Sequence, residues 1–124
     1  MEPVLLTPIT DALIKRVAQR IVEACDPDAL YLFGSAARGE TTPGSDLDLL
    51  VVLPLPEGVM THEIASDLQR LFRGWRVPLD IIVRTPEQFA RERRLPGFAS
   101  RTAVREGRLL HGQPLVEKPP AHHE

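Results

Sequence analysis

The sequence has a single cysteine, Cys25, among 124 residues. One thiol cannot close an intramolecular disulfide, and an unpaired thiol suits a reducing compartment. An excess of basic charge is also missing: 15 Lys and Arg stand against 17 Asp and Glu, for a formal net charge of −2. A protein that coats nucleic acid by neutralising phosphates needs the opposite balance, so nucleic acid is disfavoured as the direct substrate. Long apolar runs are absent as well. Val4-Leu5-Leu6 gives way at once to Thr7-Pro8, which leaves neither a signal peptide nor a membrane anchor in view. Together these absences predict a cytoplasmic protein with no membrane partner. His62, His111, His122 and His123 have no spacing to Cys25 or to another ligand set that would build a zinc site, and they receive no role.

What is present is 43% hydrophobic residues, enough for one core and, at this length, too little for two ordinary domains. We expect one domain over residues 1–113 and a flexible tail over 114–124, where Pro114, Pro119 and Pro120 accumulate. Thr7 and Pro8 read as the cap and first residue of a helix whose Leu13, Ile14, Val17, Ile21 and Val22 recur at helical spacing. Cys25 continues that face as a packing residue, and Pro27 ends the helix at Asp26. Leu30 to Phe33 reads as a buried strand running into a turn at Gly34-Ser35.

A polar loop from Ala36 to Ser45, with a helical turn near Ala36, leads to a second buried strand from Asp46 to Leu53. Thr61 to Phe72 reads as a helix capped by Thr61 and ended by Gly74, with Phe72 and Trp75 in the core. Leu79-Asp80-Ile81-Ile82-Val83 is a third strand, and Thr85-Pro86-Glu87 is the cap, proline and acidic first turn of another helix. A short helix from Phe98 closes at Gly107, and Leu109-Leu110 adds an edge strand. Arg91, Arg93, Arg94, Arg101, Arg105 and Arg108 make the last third locally basic, which reads as a solvated helix face.

Asp46 and Asp48 are two apart on a predicted strand, so both side chains leave the same face within reach of one cation. Two carboxylates side by side are unfavourable without a counter-charge, and hard oxygen ligands suit Mg²⁺ or Mn²⁺. Asp80, a lone carboxylate in an apolar strand, opposes both β propensity and burial and is the candidate third ligand. At the Gly34-Ser35 turn the missing Cβ allows backbone N–H groups to approach a phosphate, and the Ser35 hydroxyl adds a donor.

Phe33-Gly34-Ser35-Ala36-Ala37-Arg38-Gly39 followed by Pro43-Gly44-Ser45-Asp46-Leu47-Asp48 resembles the signature of minimal nucleotidyltransferases in the DNA polymerase β superfamily. Gly-Ser, ten residues, Asp-x-Asp is that family's spacing. Asp80 in Pro78-Leu79-Asp80-Ile81-Ile82 falls where the family has its third carboxylate, and Arg105 to Leu110 resembles its closing segment. The resemblance covers roughly Asp11 to His111. It implies an α/β (α+β) fold, a small mixed sheet with helices packed on it, of the polymerase β-like nucleotidyltransferase type. It further implies that Asp46, Asp48 and Asp80 hold a pair of Mg²⁺ ions and are the catalytic carboxylates, with Asp80 helping to deprotonate the acceptor. Gly34, Ser35, Arg38 and Ser45 are then the candidate contacts to the nucleoside triphosphate.

Larger members of the superfamily carry added domains for the acceptor. For a chain of this size the resemblance suggests a separate helical partner of the HEPN type, with the nucleotidyltransferase as antitoxin of a toxin–antitoxin pair. AMP would pass from ATP to a tyrosine hydroxyl of that partner, adding negative charge that blocks it. Two alternatives stand beside this one. A docking module would neutralise the partner without catalysis. A small-molecule transferase acting on an aminoglycoside-like hydroxyl would form its acceptor cleft in a homodimer and would need an acidic cleft, which the basic last third disfavours.

Overall fold

The structure is a computed structural model that describes residues 9–42 and 44–114. The first helix, α1, runs from Asp11 to Cys25. Its cap is Thr10, whose hydroxyl accepts the Leu13 N–H at 3.1 Å, with Asp11 supplying the acidic first turn. Thr7 and Pro8, the expected cap and first residue, lie outside the described residues, and the helix begins later than they imply. The other end is as expected: Asp26 turns left-handed at φ 44°, and Pro27 prevents continuation.

Four strands follow in the order β1 (Ala29–Phe33), β2 (Leu47–Val52), β3 (Leu79–Arg84) and β4 (Arg108–Gly112). In space the sheet reads β3-β2-β1-β4. β1 is antiparallel to both β2 and β4, whereas β2 and β3 are parallel, so the sheet is mixed. A parallel pair needs a crossover, which α3 (Thr61–Arg70) provides. Met60 rather than Thr61 is the residue before that helix, and its N–H donates to Glu63 Oε2 at 3.4 Å. The helix also stops short of Gly74. Leu71, Phe72 and Arg73 donate to carbonyls three residues back, the tighter winding that often ends a helix. The remaining helices are the single turn α2 (Gly34–Ala37), α4 (Pro86–Glu92) and α5 (Ala99–Glu106). Thr85 caps α4 as expected, in a reciprocal pair with Gln88.

Strand alternation divides the core. Leu30, Leu32, Leu47, Leu49, Val51, Ile81 and Val83 face α1 and α3, where Leu13, Ile14, Val17, Ile21, Leu68 and Phe72 close the larger cluster. Phe72 meets Trp75 edge-on at 4.8 Å between centroids, with Arg16 over the Trp75 ring. On the opposite face Ala29, Tyr31, Leu50 and Val52 pack with Phe89 of α4 and Ala103 of α5. Asp48 and Asp80 have the parity of this second face and lie at its end.

The same face contains an ion pair not foreseen from sequence. Arg84 Nε donates to Glu92 Oε1 at 2.9 Å, and Nη2 donates to Oε2, with Glu92 only 7% exposed. Removing one partner strands a buried charge. Arg84→Ala is therefore expected to destabilise the fold by about 3 kcal/mol, whereas the double change Arg84→Met with Glu92→Leu should cost less. Thermal denaturation of both variants checks this, and an equal or greater loss in the double variant would contradict it.

Candidate active site

β1 delivers the chain to Gly34, which adopts φ 73°, a left-handed value that glycine takes at little cost. The α2 turn opens there. Ser35 is half-buried, and its carbonyl is occupied by the N–H groups of Arg38 at 3.1 Å and Glu40 at 2.9 Å. Register brings the acidic residues beside this turn. Phe33 is opposite Asp48 across β1 and β2, and Asp48 is opposite Asp80 across β2 and β3. A Cβ at Gly34 would collide with Asp48 Oδ2 and stand 3.1 Å from its Cγ, so the missing side chain is what lets the turn close over that carboxylate.

Asp46 lies just before β2 rather than within it, because the ladder starts at Leu47, whose N–H donates to Pro78 O at 2.9 Å. That bond ties the start of β2 to the approach of β3. Burial pushes the Asp48 carboxyl above the usual carboxylate range, with Asp80 and then Asp46 adding to the effect and Arg38 opposing it. The three acids thus share one electrostatic site. Asp80 itself is exposed, not embedded as the apolar sequence around it implies, because β3 is an edge strand and its alternate face is open at that end.

The donor set fits a hard divalent cation. Asp48 is burdened first by burial and then by the charges of Asp80 and Asp46, a conflict that a bound cation relieves. Among the described residues no group of three acidic, histidine or cysteine side chains is placed to hold a metal ion as the site stands.

The other two candidates are engaged locally. Arg38 Nε donates to Glu40 Oε1 at 2.8 Å and Nη1 lies 3.5 Å from Glu106 Oε1. The Glu40 hydrogen bond is the main reason its guanidinium holds its proton more tightly than usual. Ser45 Oγ accepts the Thr42 N–H at 2.8 Å while the Ser45 N–H donates to Thr42 O at 2.9 Å, which braces the turn that launches Asp46. A cavity of about 340 Å³ lies against α2, bounded by Thr10, Asp11, Ala37, Arg38 and Arg108, and none of the three aspartates lines it. Cys25 is half-buried, and burial pushes its thiol up to about 11, as a packing cysteine should be. His62 and His111 line no part of the acidic site; His122, His123 and the tail from residue 115 lie outside the described residues.

Residues 12–110 match the model of the nucleotidyltransferase domain. The chain belongs to that family. The nucleotidyltransferase fold is repeated in solved structures. One is a toxin–antitoxin complex with AMP-PNP, at 19% identity and a TM-score of 0.51 over 80% of this chain and 73% of that one. Another is a variant of the toxin–antitoxin MntA-HpeT in which two aspartates are changed to glutamate, at 17% identity and a TM-score of 0.53 over 80% and 73%. No match was found among curated proteins. Among the described residues of this nucleotidyltransferase, no helix is long and apolar enough to cross a membrane.

Proposed function

We propose that this nucleotidyltransferase is a cytoplasmic, Mg²⁺-dependent adenylyltransferase that moves AMP from ATP onto a tyrosine hydroxyl of a helical HEPN-type partner, as the antitoxin of a toxin–antitoxin pair. One observation carries the reading: Asp48 and Asp80 are register partners on adjacent strands, with Asp46 at the head of β2 and the Gly34 turn against Asp48. ATP as donor draws support from the AMP-PNP in a structurally similar toxin–antitoxin complex.

Asp46, Asp48 and Asp80 would hold the divalent ions, which neutralise the triphosphate and stabilise both the entering and the leaving oxygen. The backbone at Gly34 and Ser35 would contact the phosphates, since nothing projects from Gly34 to keep them away. Arg38 would exchange Glu40 and Glu106 for phosphate oxygens, so those two acids keep the guanidinium in place until nucleotide arrives. The acceptor oxygen attacks the α-phosphorus, the bond to the β-phosphate oxygen breaks, and pyrophosphate leaves. The hydroxyl proton passes to the Asp80 carboxylate, which is exposed and therefore reachable by a group on another molecule. The attached AMP adds negative charge to the partner.

The test is incubation with ATP, Mg²⁺ and the product of the adjacent gene, followed by intact mass spectrometry of that product. An added AMP, lost in Asp46→Asn and Asp48→Asn while the complex persists, is the expected result. A stable complex with no adduct from any of the four nucleotides would overturn the enzymatic reading in favour of docking alone.

A further inference from the structure

Asp80, Ile82 and Arg84 alternate with Ile81 and Val83, so they share the face of β3 that α4 and α5 cover. Along that face beyond Asp80 is a second cavity, of about 260 Å³, lined by Ile82, Arg84, Glu92, Gly97, Phe98 and Ser100. Three features set it apart. The Ser100 side chain is fully buried and its hydroxyl has no hydrogen-bond partner, a state that native interiors avoid and that calls for an explanation. Phe98 lines the cavity yet stays 41% exposed, and the nearby Leu95 is 43% exposed. Finally, the chain flanking this wall is basic, although the arginines of that stretch lie outside the lining itself. Between Arg91 and Arg108 the chain has six arginines and two glutamates, although its overall net charge is −2.

We propose that this cavity docks an acidic peptide segment of the acceptor protein, next to the residue that receives the nucleotide. The inference rests on the reading of the acceptor as a protein. An apolar side chain of the segment would fill the space between Ile82 and Phe98, a polar group would satisfy Ser100, and acidic residues would meet the arginines of the 91–108 segment. The spacing suits this. Ile82 is two residues from Asp80 on the same face, about 7 Å along the strand, so two or three extended residues separate an anchor in the cavity from a hydroxyl at Asp80. A peptide fits better than a polynucleotide, because the lining offers apolar surface at Ile82 and Phe98 and has its one arginine already paired with Glu92, and the three aspartates at the end of the face repel a polyanion.

The test is titration of the full chain, in EDTA and without nucleotide, with the peptide acetyl-Glu-Asp-Tyr-Leu-Glu-Glu-amide, followed by ¹⁵N–¹H spectra. The same peptide with lysine at every acidic position and a dodecameric oligouridylate are the comparisons. Expected are saturable shifts confined to the amides of Ile82, Arg84 and residues 97–101. Ser100→Ala should weaken binding about fivefold, the loss of one hydrogen bond, without lowering the melting temperature, and Arg94→Glu with Arg101→Glu should weaken it about tenfold. Shifts elsewhere only, equal binding of the lysine peptide, tighter binding of oligouridylate, or unchanged affinity in Ser100→Ala would each overturn the proposal. Peptide docking without AMP transfer to any protein would remove the acceptor reading and keep the docking site. Transfer that survives in all these variants with no docking would remove the docking site alone.

Discussion

Asp48→Asn is expected to reduce nucleotide transfer at least about a thousandfold and, in the same variant, to raise the melting temperature of the metal-free protein by a few degrees. The two effects share one cause. Asp48 sits between Asp80 on β3 and the Gly34 turn, with Asp46 two residues before it, and burial together with these acids lifts its carboxyl above the ordinary range. A carboxyl with a raised folded-state pKa binds more protons folded than unfolded between the two values, so stability falls as pH rises through that interval. The ionised group is therefore a liability to the empty fold at neutral pH. Asparagine keeps the shape and removes the charge. The stability gap between variant and wild type in EDTA should be full at neutral pH and close as pH falls through the raised pKa towards the ordinary carboxylate value near 4. Added Mg²⁺ should reverse the order, because a cation that binds the folded wild type stabilises it and has lost a ligand in the variant. Calorimetric scans with and without Mg²⁺ at neutral and acid pH test all of this. A variant less stable than wild type in EDTA would mean that Asp48 is held by attractions absent from this account.

Much of this site is legible in the sequence because its logic is local. A Gly-Ser turn after an apolar strand, and two aspartates at the head of another, are patterns of neighbouring residues. The register that sets Asp48 opposite Asp80 is a property of the assembled β2–β3 ladder. Features that depend on distant residues are not legible in this way. Arg38 reads as a candidate phosphate contact, and its link to Glu106, 68 positions away, is made only when α2 and α5 assemble. Glu92 reads as one acid in a run of arginines, yet α4 crosses β3 and buries it against Arg84. Asp80 reads as embedded because its neighbours are apolar, and only the sheet order makes β3 an edge. The starts of α1 and α3 are missed for a different reason. Thr7 and Thr10 offer the same capping chemistry, and Thr61 outranks Met60 by propensity, so the choice falls to packing. Ser45, a candidate for phosphate contact from its place in the motif, has a hydroxyl already used to brace the Thr42 turn.

Gly34→Ala is expected to destabilise the fold by about 2–3 kcal/mol, roughly 10 °C in melting temperature, and to reduce transfer at least about a hundredfold. Two costs combine. At φ 73° an L-residue pays the left-handed penalty of about 1–2 kcal/mol. The new methyl also meets Asp48 Oδ2, with Asp48 Cγ at 3.1 Å, so the carboxylate must turn away from its place beside the Gly34 turn. The contribution of the collision can be isolated. Gly58 has φ 87° and nothing within 4 Å of an added Cβ, so Gly58→Ala carries the backbone penalty alone. It should lower stability by only about 1 kcal/mol and leave transfer within a few-fold of wild type. The combination Gly34→Ala with Asp48→Gly removes the obstructing carboxylate and should recover the steric part of the stability loss while remaining inactive. Equal melting temperatures for Gly34→Ala and Gly58→Ala would show that the turn does not close on Asp48 as described, and the phosphate-binding role assigned to it would lose its structural basis.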